Sequence, residues 1–259
     1  MKLKMSKLFA AIGLGAALAS GAASAATVAG VTWDTNSPID FIAQSNLFEQ
    51  VALNAGDDIK GYGNITAMNG NSSFCAGCEL TFVFSDFILQ NSISGAAFQP
   101  FAFSGGSLKV YVSPVDYNFN VPGTAANGLL WLDLQAAPGN FALAGGANAL
   151  TTLYGQTSAN STSGLGVAGN GAGFFNVVGG LAASYFDTNA EIGGTDFLFG
   201  SNFSPISTPI IDPVTGEVYT HGGGATITGT SAVPEPGALA LLGLGLAGLG
   251  FVRRNKKSA

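Results

Sequence analysis

Basic residues are nearly missing from the middle of this 259-residue sequence. Of nine Lys and Arg, seven lie within the first seven or last seven positions, leaving Lys60 and Lys109 against fourteen carboxylates, a net charge of −12 for residues 26–230. Such a field repels phosphate backbones and has no cationic set with which to release counterions, so nucleic acid is excluded as a partner. Histidine occurs once and cysteine twice. One imidazole allows at most one Ser-His-Asp triad, no Gly-x-Ser-x-Gly elbow accompanies it, and a four-ligand zinc site cannot be completed. Charged residues are only 9% of the chain, against about 25% in typical domains. Glycine, at 38 residues, is in excess; each costs a helix about 1 kcal/mol. Helices are therefore disfavoured, and Asn, Ser, Thr and Asp must keep the surface wet.

The basic residues mark two addresses. Lys2, Lys4 and Lys7, the apolar run 8–18 and the small residues Ala23-Ser24-Ala25 have the three parts of a secretory signal, with cleavage expected between Ala25 and Ala26. The apolar run is about half the ~20 residues that a membrane anchor needs. At the other end, Val233-Pro234-Glu235-Pro236 precedes an Ala/Leu/Gly segment at 237–252, and Arg253, Arg254, Lys256 and Lys257 follow. As a helix that segment reaches roughly 24 Å, short for a hydrocarbon core of about 30 Å but workable with local thinning and snorkelling arginines. The basic cluster acts as a stop-transfer signal and stays cytoplasmic, which puts the acidic body outside. The expected organisation is a signal peptide at 1–25, an extracytoplasmic domain at 26–230 and a sorting segment at 231–259.

The order of PEP motif, short hydrophobic helix and terminal Arg/Lys cluster resembles the PEP-CTERM sorting signal of Gram-negative bacteria. The resemblance covers about 27 residues and implies general secretion machinery and an exosortase-like membrane protease as partners, with Pro234, Glu235 and Pro236 as recognition residues. It implies a precursor anchored in the inner membrane through the 237–252 helix, then a cell-surface or extracellular product in a setting of exopolysaccharide and biofilm matrix. It implies no activity for the domain before the tail.

In the body, Leu80, Phe82 and Phe84 share one face at period 2, as do Leu108, Val110 and Val112, and Leu130, Leu132 and Leu134. Further strand candidates are 29–34, 98–103, 174–178, 196–199 and 225–230, divided by Gly, Asn and Pro clusters. The expected fold is all-β, an antiparallel β-sandwich or jelly-roll-like domain. Only 40–51 invites a helical reading. The polar stretch 151–173 reads as a long flexible loop or a repeatedly turning edge hairpin.

Candidate chemistry is sparse. Cys75-Ala76-Gly77-Cys78 precedes a strand rather than opening a helix, which favours a local disulfide formed outside the cytoplasm over a redox or zinc motif. His221, beside Gly222, Gly223 and Gly224, reads as a surface histidine on a glycine-rich loop. Asp187, Asn189 and Glu191 alternate before Gly193 and Gly194 as oxygen ligands for Ca²⁺ would, although the glycine falls one place late for an EF-hand loop and a polar turn competes. No other cofactor is expected. Fourteen carboxylates leave a glycosidase-like pair open without selecting one, and Trp33 or Trp131 would serve a carbohydrate site as exposed platforms. The reading is a non-enzymatic surface or matrix protein, with a carbohydrate-binding or carbohydrate-cleaving module as the alternative.

Overall fold

The computed structural model describes residues 25–35, 41–94, 98–139, 150–158 and 167–232. Eleven strands follow one another along these residues: β1 (Ala26–Val28), β2 (Val31–Trp33), β3 (Phe41–Glu49), β4 (Asp58–Met68), β5 (Glu79–Leu89), β6 (Pro100–Ser113), β7 (Leu129–Ala137), β8 (Thr151–Thr157), β9 (Gly169–Gly179), β10 (Phe197–Ile211) and β11 (Val218–Gly229). A 3₁₀ turn at Pro122–Ala126 and one short helix, α1 (Ala183–Phe186), complete them. The all-β expectation holds. The helical expectation for 40–51 does not: Phe41, Ala43, Ser45, Leu47 and Glu49 are buried while the residues between them are more exposed, a two-residue period that only a strand satisfies. β4 has no counterpart among the expected strands, because Gly61 and Gly63 interrupt its apolar pattern.

The sheet is a ring. Strands β3 to β7 run as an antiparallel meander, β11 pairs with β3, and β10 pairs with both β11 and β9. β7 and β8 share one stave in succession. Ser107 of β6 lies opposite Gln135 of β7, while Ser104 lies opposite Thr151 of β8; on the other flank Ala137 faces Phe174 and Leu153 faces Gly173. β8 thus continues the stave that β7 begins, and the ring closes as eight staves. The expected sandwich or jelly roll, which would have edge strands, is instead one closed antiparallel sheet. Register shifts in β3, β4, β6, β7 and β10 supply the bends that curl it. The stretch 151–173, expected as a loop or edge hairpin, contributes β8 and the start of β9 to the wall, with Thr151, Thr152 and Thr157 buried.

Glycine and phenylalanine meet across the ladders. Gly61 faces Phe84, Gly63 faces Phe82, Gly155 faces Phe101, Gly169 faces Phe203 and Gly229 faces Phe197. In each pair the ring lies over the glycine, so that a Cβ there would fall 2.1 to 2.8 Å from ring carbons. The inward face is apolar, whereas Gln44, Asn46, Thr66, Gln135, Gln156, Asn170 and Asn202 face out and are exposed. That is the reverse of a membrane-spanning barrel, which carries its apolar band outside.

The end at which β3 begins and β11 finishes is filled. Trp33 of the β1–β2 hairpin packs against Trp131, Tyr185 and Phe186 at ring-centroid distances of 5.1 to 5.8 Å, and Phe41 packs on Phe186 and Phe197. The two indoles donate hydrogen bonds to Ser231 Oγ and to the Val28 carbonyl. A second apolar cluster, Tyr62, Ile210 and Tyr219 with Phe48 and Val83, lies outside the wall, where the far ends of β10 and β11 fold over β3 to β5.

Gly63→Ala tests the Gly–Phe pairing. The new Cβ would sit 2.0 Å from the Asn46 carbonyl oxygen and 2.6 Å from Phe82 Cζ; overpacking of this kind costs roughly 2–3 kcal/mol, expected as a lower urea midpoint. Gly123→Ala, whose Cβ meets nothing within 4 Å, is expected to melt like the unmodified chain.

Candidate functional site

The inward register of β3 ends in a charged residue type. Glu49 follows Phe41, Ala43, Ser45 and Leu47 on the face that lines the barrel, and only 9% of it is exposed. Its ladder neighbours are Gly61 on β4 and His221 on β11. Gly61 has no side chain, and the Phe84 ring lies in the space that one would take. His221 shares the face with it, since residues directly opposite in an antiparallel pair point the same way.

These two polar residues stand in an apolar cavity in the half of the barrel where β3 finishes. Seven phenylalanines contribute to its wall, among them Phe84, Phe87, Phe101, Phe175 and Phe203, together with Leu47, Leu108 and Leu153. About 60 Å³ of it is open to the centres of water-sized molecules. Of the lining residues only Glu49 and His221 titrate; β4, β5, β6, β8, β9 and β10 present Ile, Phe, Leu, Gly and Ser to the cavity.

The glycine-rich loop expected around His221 is a strand, and the histidine is buried at 4% exposure. The reason is close approach: a Cβ at Gly223 would lie 1.9 Å from the Asn202 carbonyl oxygen, so the glycines let β10 and β11 press together. His221 Nε2 is 2.8 Å from the Val167 carbonyl oxygen and Nδ1 is 2.8 Å from Thr220 Oγ1. A carbonyl only accepts, so Nε2 carries the proton, and burial lowers the imidazole pKa below 6.5. Nδ1 then accepts from the Thr220 hydroxyl. Both ring nitrogens of this neutral histidine are occupied.

Glu49 differs in having no hydrogen bond to its carboxyl group among the described residues. Burial in apolar surroundings disfavours the carboxylate and pushes its pKa up to about 8. At neutral pH the group is a protonated acid, a hydrogen-bond donor without an acceptor. Neither residue is poised as a general base at that pH, because one is protonated and the other has its lone pair engaged.

The other expected site residues lie elsewhere. Cys75 and Cys78 are joined in a disulfide just before β5, near the β1–β2 turn, where Cys75 bridges to Val31. Asp187 follows α1 and accepts from Asn189 Nδ2, while Glu191 accepts from the Thr230 hydroxyl. The loop is organised by Asp196, whose carboxylate takes the backbone N–H groups of Val177, Thr188 and Asn189. No three His, Cys, Asp or Glu side chains gather as a metal site among the described residues. Trp33 and Trp131, at 2% and 0% exposure, are core residues and offer no exposed platform.

Val233, Pro234, Glu235, Pro236, the 237–252 segment, Arg253, Arg254, Lys256 and Lys257 lie outside the described residues, as does the segment before Ala25. Among the described residues no helix is long and apolar enough to cross a membrane. A family model of the PEP-CTERM protein-sorting motif matches residues 232–254. The chain carries a PEP-CTERM motif. The match spans the four residues from Val233 to Pro236, the apolar segment and both arginines, and stops before Lys256. A PEP-CTERM motif implies an exported protein sorted by an exosortase-type system. No curated protein and no solved structure matches the chain, so the PEP-CTERM tail is what relates it to known proteins.

Burial of Glu49 sets a pH dependence. A folded-state pKa above the unfolded 4.5 means the native protein holds the proton more tightly. Its stability is then full below about pH 4.5 and declines as pH rises toward 8, at up to about 1.4 kcal/mol per pH unit. His221 acts in the opposite sense as pH falls through 6.5. Urea midpoints of Glu49→Gln minus those of the unmodified protein are expected to grow between pH 5 and pH 8; a pH-independent difference would contradict the burial of an ionisable group.

Proposed function

We propose that this chain is a non-enzymatic protein of the cell surface or extracellular matrix, exported as a membrane-held precursor and processed at its PEP-CTERM tail by an exosortase-like protease. The observation that carries the reading is the junction at residues 231–233: the last hydrogen bond among the described residues, from Ala232 N to the Tyr185 carbonyl, stands where the sorting motif begins. The domain is complete where the address begins. A polar outer face on a domain that has two lysines against fourteen carboxylates suits a hydrated polymer environment, and the disulfide suits an oxidising one. A neutral, doubly engaged histidine and a protonated carboxyl group, both walled in by phenylalanine, support a role without catalysis.

The carbohydrate alternative would draw on exposed aromatic platforms, and its test is binding of the purified protein to the host's own exopolysaccharide. The main reading is tested by intact mass and fractionation of the native protein from its host. The product is expected to begin at Ala26, to lack the residues beyond the PEP motif and to appear at the surface or in the matrix. Removal of residues 233–259 is expected to release soluble protein to the periplasm; unchanged surface retention of that variant would refute the tail's role.

A further inference from the structure

Holding a carboxyl group against an apolar wall with no protein partner is costly even when the group is neutral, and the Glu49 oxygens are not among the fully enclosed polar atoms that lack a partner. An apolar residue of similar size would fit this wall at no such cost. Glu49 is the last inward residue of β3 and lines the cavity beside Leu47, opposite Gly61, over which the Phe84 ring lies. Its carboxyl group has no hydrogen-bond partner among the described residues, whereas His221 beside it has both nitrogens engaged. The cavity offers about 60 Å³ to the centres of water-sized molecules, four to six times the ~10–15 Å³ that one water needs on that measure. Eight-stave barrels have interiors of the size that side chains fill or that hold one small ligand.

We propose that the barrel binds a small, uncharged, ring-sized apolar molecule bearing one carbonyl or hydroxyl oxygen, with the phenylalanine wall enclosing its ring and the Glu49 carboxyl group donating a hydrogen bond to that oxygen. An uncharged ligand is selected by the surroundings. An amine would have to ionise Glu49 and bury two charges, and an anionic ligand would bury its charge where no cation faces it. Lys60 faces outward on β4 and pairs with Glu217 at 3.0 Å. A neutral oxygen acceptor satisfies the one open donor without creating charge. The aromatic wall adds edge-to-face contacts that an aliphatic lining would not.

The test is calorimetric titration of the purified full-length protein with acetophenone, benzylamine and benzoate, three probes of like size that differ in charge. Acetophenone is expected to bind at pH 7 with 1:1 stoichiometry, at least tenfold more tightly than either charged probe. Its affinity is expected to fall about tenfold between pH 7 and pH 9 as Glu49 ionises about a midpoint near 8. Glu49→Gln, which keeps a donor and cannot ionise, is expected to bind acetophenone with a flat pH profile, and Glu49→Leu to weaken it at least tenfold. Ser201→Leu, at a cavity-lining position on β10, fills the space without touching Glu49 and is expected to abolish binding in a protein with an unchanged circular dichroism spectrum. Absence of saturable acetophenone binding to the unmodified chain would overturn the proposal. So would tighter binding of either charged probe, or acetophenone affinity unaffected by both Glu49→Leu and Ser201→Leu.

Discussion

Closure of the hydrogen-bonded ring is the constraint from which the rest of the domain follows. A backbone amide or carbonyl buried without a partner costs about as much as a lost hydrogen bond, and an open sheet of this length would leave two rows of them at its edges. Pairing β10 with both β9 and β11, and β11 with β3, closes the ring and leaves the far ends of β10 and β11 paired on one side. Once the ring is closed, its circumference is fixed, and with it the volume that inward side chains must fill. One half is filled by the two tryptophans, Phe41, Phe186 and Phe197. The other half is walled by phenylalanines but not filled by them, and Glu49 stands there with no hydrogen-bond partner among the described residues.

The two compositional excesses of the sequence, glycine and phenylalanine, are one device seen twice. A ring that lies flat over a glycine on the next strand covers backbone that would otherwise be bare and occupies less depth than a ring standing on a Cβ. Repeated at Gly61, Gly63, Gly155, Gly169 and Gly229, the arrangement lets a wall of bulky residues curve tightly without a clash. The same economy serves the polar outer face. With charges scarce, exposed Asn, Gln and Thr hydrate the sheet, and the carboxylates collect in turns, where Asp57, Asp196 and Asp212 accept backbone N–H groups that the ladders leave free.

How much of this the sequence disclosed depended on whether a local pattern survived the glycines. Period-2 runs such as Leu80-Thr81-Phe82-Val83-Phe84 and Leu108 to Val112 were legible because side-chain alternation is a local property. β4 and the first half of β11 were not, because glycines such as Gly61, Gly63 and Gly223 occupy inward positions that would have carried the apolar signal, and their reason for being there is a partner strand distant in sequence. Closure itself is non-local: pairing of β11 with β3 joins residues about 180 positions apart, as Ser45 Oγ and the Ala225 carbonyl do. His221 was misjudged for the same reason, since three following glycines look like a loop until Asn202 is seen to press against them. Glu49 was legible in principle, as the last member of the series Phe41, Ala43, Ser45, Leu47, but an acidic residue in an inward register looks like the end of a strand rather than part of its interior.

The ring also arranges the domain along an axis. β3 enters and β11 leaves at the same end, the one closed by the β1–β2 hairpin, α1 and the indole hydrogen bonds to Val28 and Ser231. An even number of antiparallel staves makes this unavoidable, because a chain that goes up and down an even number of times finishes where it began. The residues that join the barrel to what precedes and follows it therefore belong to the packed end. Glu49, His221 and the cavity occupy the half defined by the opposite turns, where no chain terminus of the domain has to pass. Ser231 and Ala232, bonded to Trp33 and Tyr185, and the cavity around Glu49 thus belong to opposite ends of one closed sheet.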